Sequence, residues 1–199
     1  MTTNSQSEIP GARLWRMIYQ AQTRISNAMD HLLREQGLTS EQYWVLMILR
    51  YTDTPPRIID IADFLERSPN SVSNLVDRMV KAGLIRRTRD RKDRRIVKVF
   101  MTSKAENALE PAARAVWKLE ELCMSPLSYE DRTTFAGLLN AINYKLLGYL
   151  NPGADIEGMF KTDSKRHDQL LKEWRKHAEP GSTESKNKVG KKRETVRRR

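Results

Sequence analysis

The sequence predicts a mainly α fold with a small β-wing, and three observations carry that prediction. Apolar residues recur at three- and four-residue steps across residues 12–36 and again across 102–150, the period of helices with one buried stripe. After the Pro55-Pro56 break come a short helical run, a turn, and a second helix opening at Ser68-Pro69. Two β-branched runs, 84–88 and 96–100, then enclose an arginine-dense tip at 89–95.

Residues 1–11 are polar and end in Pro10-Gly11, which predicts a disordered start. From residue 12 to 36, Leu14, Ile18, Ala21, Ile25, Ala28, Met29 and Leu32 form one stripe, and Gly37 stops the helix one position past its last turn. A helix this long packs either on its own chain or on a second one. The next helix starts at Thr39 or Ser40, with Thr39-x-x-Gln42 as capping chemistry, and buries Tyr43, Val45, Leu46, Ile48 and Leu49. Trp44 is either simple packing or part of the wall of an aromatic-ligand pocket.

Past Pro55-Pro56 the chain is expected to stay extended at Arg57-Ile58, with Asp60 capping a short helix that holds Ile61, Ala62 and Leu65. The helix from Ser68 divides by face. Val72, Leu75, Val76 and Met79 step by three, four and seven residues and face the core. Ser68, Asn70, Ser71, Ser73, Asn74 and Arg78 carry short donors and acceptors and one guanidinium on the other side. Serine and asparagine are poor helix formers. On an outward face they suit pairing with base edges and phosphates better than simple solvation, asparagine fitting adenine and arginine guanine. The tip adds Arg89, Arg91, Lys92, Arg94 and Arg95, cations able to reach phosphates or the narrow minor groove, with Asp93 beside Arg94 and Arg95 to hold a guanidinium in one pose. Residues 39–101 therefore read as a winged helix-turn-helix DNA-binding unit.

After Met101, Ser103 and Glu106 stand in capping-box register before a helix with the stripe Leu109, Ala112, Ala113, Val116, Leu119 and Leu122; Pro111 inside it predicts a kink or a break. Ser125-Pro126 or Ser128 opens a last long helix bearing Phe135, Leu138, Leu139, Ile142, Leu146 and Leu150. Residues 12–36 and 102–150 offer more apolar stripe than the small unit between them can cover, so they are expected to be dimerisation helices. Residues 151–199 are expected to be a basic, largely disordered tail, with a weak helix near 165–177, and either to add non-specific DNA affinity or to be inert.

The whole chain bounds the function. It has 199 residues, 39% hydrophobic and 31% charged, with a formal net charge of +11 that favours polyanionic partners. No apolar run approaches the roughly 20 residues that span a bilayer, and the polar start lacks a secretory pattern, so a cytoplasmic location and no membrane partner are expected. Cys123 is alone, so no intrachain disulfide and no Cys-rich metal site can form. His31, His167 and His177 are scattered, and there is no Gly-rich phosphate loop, nucleophile elbow or metal-spaced His pair, so neither enzyme activity nor a cofactor is expected. The rival function is a non-specific architectural or RNA-binding protein that works through its basic tail.

The run from Ser68 to Val80, then Lys81-Ala82-Gly83-Leu84-Ile85, the wing's Asp90 and Asp93-Arg94-Arg95, and Met101-Thr102-x-Lys104 together resemble the MarR family of bacterial regulators. The resemblance covers about residues 12–150. It implies an obligate homodimer on a near-palindromic double-stranded operator, acting as repressor or activator and often released by a small aromatic effector. It also implies that Ser68, Asn70, Ser71, Ser73, Asn74 and Arg78 read or clamp the major groove. Arg91, Arg94 and Arg95 would serve the minor groove, with Asp93 orienting an arginine. The pocket implied between the dimer helices and the reading unit would draw on Trp15, Tyr19, Trp44 and Met47, with Tyr51 nearby. The chain departs from the family at Asn74, often Arg, at Ala105, often Gly, and at Glu66, where a small turn residue is usual. The redox-sensing branch uses a cysteine in the first long helix, and none occurs in 12–36, so peroxide sensing by that route is not expected.

Overall fold

The computed structural model describes residues 11–52, 54–89 and 97–178. In chain order they form α1 (Gly11–Glu35), α2 (Ser40–Tyr51), α3 (Ile58–Phe64), α4 (Pro69–Lys81), β1 (Ile85–Arg89), β2 (Val97–Met101), α5 (Ser103–Met124), α6 (Tyr129–Leu150) and α7 (Ile156–Ala178). The mainly helical winged helix-turn-helix expected from the sequence is present, with long helices on either side. β1 and β2 pair antiparallel, Ile85 opposite Met101 and Arg89 opposite Val97. Arg57 adds a bridge to Lys98, and the Val99 amide donates to the Pro56 carbonyl at 3.2 Å, so the chain entering α3 is fastened to the base of the wing.

One core joins the reading unit to the long helices. Tyr43, Leu46 and Met47 of α2 meet Ile61 of α3, Val76 and Met79 of α4, Val99 of β2 and Ala112 of α5, all almost completely buried. Three helices end in the same way. Leu38 N–H bonds the Leu33 carbonyl, Leu84 N–H the Met79 carbonyl and Arg67 N–H the Ala62 carbonyl, each at 3.0 Å. This closure puts the residue before the donor in the left-handed region. Gly37 and Gly83 are there with φ 70°, as glycine permits. At the end of α3 the position is Glu66, with φ 51°.

Four expectations are corrected. Helix α3 begins at Ile58, with Arg57 as its extended N-cap. Asp60 is therefore not the cap but the third helical residue, and its carboxylate accepts from Arg57 N–H at 2.8 Å. The cap of α5 is Thr102, one residue before the expected Ser103. Thr102 is the better anchor because its amide and hydroxyl both bond back to Leu84 at 3.0 Å, tying the helix start to the turn after α4. Of the kink or break expected at Pro111, the break does not occur, and α5 runs through to Met124. Proline costs its helix one N–H bond, and buried Leu109, Ala112, Ala113 and Val116 hold the helix across that gap.

The fourth correction is α7. Within the tail expected to be largely disordered, the weak helix expected near 165–177 is instead a longer helix over 156–178 whose Leu170 and Trp174 are buried. Composition misled here, because two or three large side chains in a polar helix suffice when they dock on an existing surface. The rest of the expected tail, 179–199, and the expected disordered start at 1–10, lie outside the described residues.

Candidate nucleic-acid interface

Helix α4 is presented by its two ends. At its start Ser68 is extended and its Oγ accepts from Ser71 N–H at 3.2 Å, while the two hydroxyls share a hydrogen bond at 2.9 Å; Pro69 fills the first helical position. At its end Lys104 Nζ donates to the Ala82 carbonyl at 2.8 Å, a cation where the helix dipole is negative. Val72, Leu75, Val76 and Met79 are buried as expected, which turns the opposite side outward. Ser68, Asn70, Ser71, Asn74 and Arg78 are exposed on that side and Ser73 is half-buried.

The outward cation is only loosely held. Arg78 lies 3.9 Å from Glu41 of α2, whose other oxygen is 3.5 Å from Arg67. All three side chains are at least half exposed, and pairs of this kind contribute little in water. Arg78 can therefore exchange Glu41 for a base or a phosphate at small cost.

Arg87 and Asp77 escaped the sequence reading. Arg87 pairs with Asp77 of α4 and donates through Nη2 to the Ser73 carbonyl at 3.0 Å, bracing the middle of α4 against β1. The sequence did carry a signal. Along β1, Ile85 is buried, Arg86 exposed and Arg87 half-buried, so Arg87 lies on the inward alternate of a strand. Neighbouring Arg86 lies over the Phe100 ring, 4.6 Å from its centroid, and Arg89 at the end of β1 is exposed. The wing residues Arg91, Asp93, Arg94 and Arg95 lie outside the described residues.

Asp60 titrates low because the Arg57 guanidinium hydrogen-bonds it, through Nε at 3.0 Å and Nη2 at 2.7 Å, with Arg57 N–H and Arg166 adding to the effect. This pair fixes the start of α3 and so the approach to the turn that launches α4.

The residues expected to line a ligand pocket are spread out. Trp15 and Tyr19 are 65% and 67% exposed on the first half of α1. Met47 is buried in the core, and Trp44 is half-buried, edge-on to Tyr43 with centroids 5.3 Å apart. Burial pushes the Tyr43 phenol well above its ordinary value, helped by Tyr51 and Glu120, and keeps it neutral. Among the described residues no cluster of three or more His, Cys, Asp or Glu has the arrangement of a metal site, and no helix is long and apolar enough to cross a membrane.

Residues 38–97, which hold α2, α3, the capped helix α4 and β1 and end at the first residue of β2, match the MarR family profile. Over these residues the chain is similar to the MarR family. It is 30% identical over 87 residues to the HTH-type transcriptional repressor MdtR of Bacillus subtilis (strain 168), covering 44% of this chain and 56% of the relative. It is 32% identical over 87 residues to the HTH-type transcriptional regulator TtmR of Methylorubrum extorquens (strain PA1), covering 44% of each. The chain thus spans about half the length of these curated relatives. Among solved structures, the transcriptional repressor CouR bound to a 23-mer DNA duplex superposes with a TM-score of 0.59 at 26% identity, over 72% of this chain and 98% of that one.

Proposed function

We propose that the protein is a homodimeric, sequence-specific DNA-binding transcriptional regulator, a repressor that a small aromatic ligand releases from a near-palindromic operator. The observation that carries this reading is the outward side of α4, where Ser68, Asn70, Ser71 and Asn74 stand exposed at the capped start and middle of the helix and the loosely paired Arg78 in its last turn. Those groups match the donors and acceptors of the major groove, and the N-terminus of α4 suits a phosphate. Arg91, Arg94 and Arg95, with Asp93 orienting one of them, serve the minor groove in this reading, a role resting on sequence alone.

The relatives support it: CouR is a repressor bound to duplex DNA, and MdtR is named a transcriptional repressor. The second copy is supported by α6, which buries none of its residues and exposes Phe135, Leu138, Leu146 and Leu150. The aromatic effector is supported by Trp44, half-buried against Tyr43 at the junction of α2 with the long helices.

The test is selection of duplexes from a random library, followed by competition with random duplex at rising salt. Preference for the selected sequence is expected to survive as total affinity falls. Loss of all preference refutes a sequence-specific regulator and favours a non-specific basic protein. Simple phenols and aromatic acids are then added. A raised melting temperature with weaker binding to the selected duplex is expected, and a panel without effect removes the aromatic effector.

A further inference from the structure

Helix α7 lies beyond the part of the chain that resembles the family, and nothing in the DNA-reading argument uses it. Three of its ring-bearing residues, Phe160, His167 and Trp174, are seven residues apart, so they share one stripe of the helix. Each meets a different element. Phe160 is edge-on to Tyr144 of α6, with centroids 5.6 Å apart. His167 stacks on Phe64 of α3 at 5.0 Å with an interplanar angle of 29°. Trp174 is edge-on to Trp117 of α5 at 5.3 Å, and is only 6% exposed.

The middle contact is the informative one. Phe64 is the last residue of α3, immediately before the turn through Glu66 that launches α4. The outer two contacts are with the long helices α5 and α6. One helix therefore ties the hinge of the reading pair to the scaffold that flanks it.

Two features make this attachment releasable. Apart from its ring stripe and Ile156, Met159, Leu170 and Leu171, α7 is largely polar, and of its described side chains only Leu170 and Trp174 are buried. The indole N–H of Trp174 is also buried without a hydrogen-bond partner among the described residues, and a stranded donor opposes docking. The outward side of α4 is exposed while α7 is docked, so α7 does not block DNA by covering it. Its effect must come from orientation.

We propose that α7 is a releasable strap within the chain that fixes α3–α4 on the long helices and so raises DNA affinity. A reading pair held in place loses less freedom when it binds. This rests on the DNA-reading assignment above, and its test separates the two. In the full chain, Trp174→Ala and His167→Ala are compared with His167→Phe, which keeps the stacking ring. Amide hydrogen exchange over residues 58–81 and affinity for the selected duplex are measured, with dimer content as control. The two alanine variants are expected to exchange faster in α3–α4 and to bind DNA about 5- to 150-fold more weakly, the range of typical coupling between sites. His167→Phe is expected to keep wild-type values.

Unchanged exchange in α3–α4 with unchanged affinity in both alanine variants overturns the strap. If Trp174→Ala fails to fold, His167→Ala against His167→Phe decides alone. A wild-type chain that selects no duplex overturns the DNA reading, and exchange alone then decides whether α7 holds the pair.

Discussion

Helices α4 and α6 are both exposed along one side, and they are exposed for opposite reasons. Helix α4 buries Val72, Leu75, Val76 and Met79 and turns serines, asparagines and an arginine to solvent. Helix α6 buries nothing, and leaves Leu138 60%, Leu150 69% and Tyr149 83% exposed. The first surface is complete in water, because hydrated polar groups lose nothing by being there until a polar ligand replaces the water. The second is incomplete, because a contiguous apolar side turned to solvent marks a site for another apolar surface. In the proposed dimeric reader a hydrated polyanion would meet α4 and a second copy of the chain would cover α6.

The largest effect is expected from α6. Leu138→Asp sets a charge on the apolar side without touching any buried residue. Sedimentation is expected to show a shift from dimer to monomer, and affinity for the selected duplex is expected to fall with it, since a monomer engages only one half-site. Helical content should be retained. A Leu138→Asp protein that stays dimeric breaks the comparison at its apolar end.

A smaller and more local effect is expected from α4. Asn74→Ala and Arg78→Ala are each expected to lose about 1–3 kcal/mol of discrimination between the selected duplex and one changed at a single base pair. Dimer content should stay unchanged, opposite to the α6 variant. If both variants weaken binding to all duplexes equally, these side chains hold phosphates and do not read bases, and the reading residues must then lie elsewhere on α4 or the wing.

The sequence was legible where local chemistry decides structure. Thr39 and Gln42, Ser68-Pro69, Gly37 and Gly83 marked helix ends correctly because a cap or a positive φ demands those residue types. The burial of Val72, Leu75, Val76 and Met79 followed from period alone. What stayed hidden depends on residues far apart in the chain. Asp60 looked like a cap until Arg57 took that position, fixed by its bridge to Lys98 some forty residues later. Arg87 looked like one more wing cation because its partners, Asp77 and the Ser73 carbonyl, are on another element. Helix α7 was legible only as a weak helix near 165–177, and its seven-residue ring spacing had meaning only once Tyr144, Phe64 and Trp117 supplied surfaces for it.

The smallest effect sharpens how α4 is aimed. Its far end closes through Gly83, whereas the turn that precedes it closes through Glu66, the same left-handed position filled by a residue with a side chain. A left-handed conformation costs an L-residue about 1–2 kcal/mol, and glycine avoids that at the expense of a more flexible unfolded chain. Glu66→Gly is therefore expected to stabilise the protein by roughly 1 kcal/mol, a rise in Tm of about 2–4 °C for a chain of this size. Glu66 is exposed, so no packing is lost to offset the gain. A lower Tm would mean that the strain is compensated by contacts of the Glu66 side chain, and that the turn between α3 and α4 is held by more than its backbone closure.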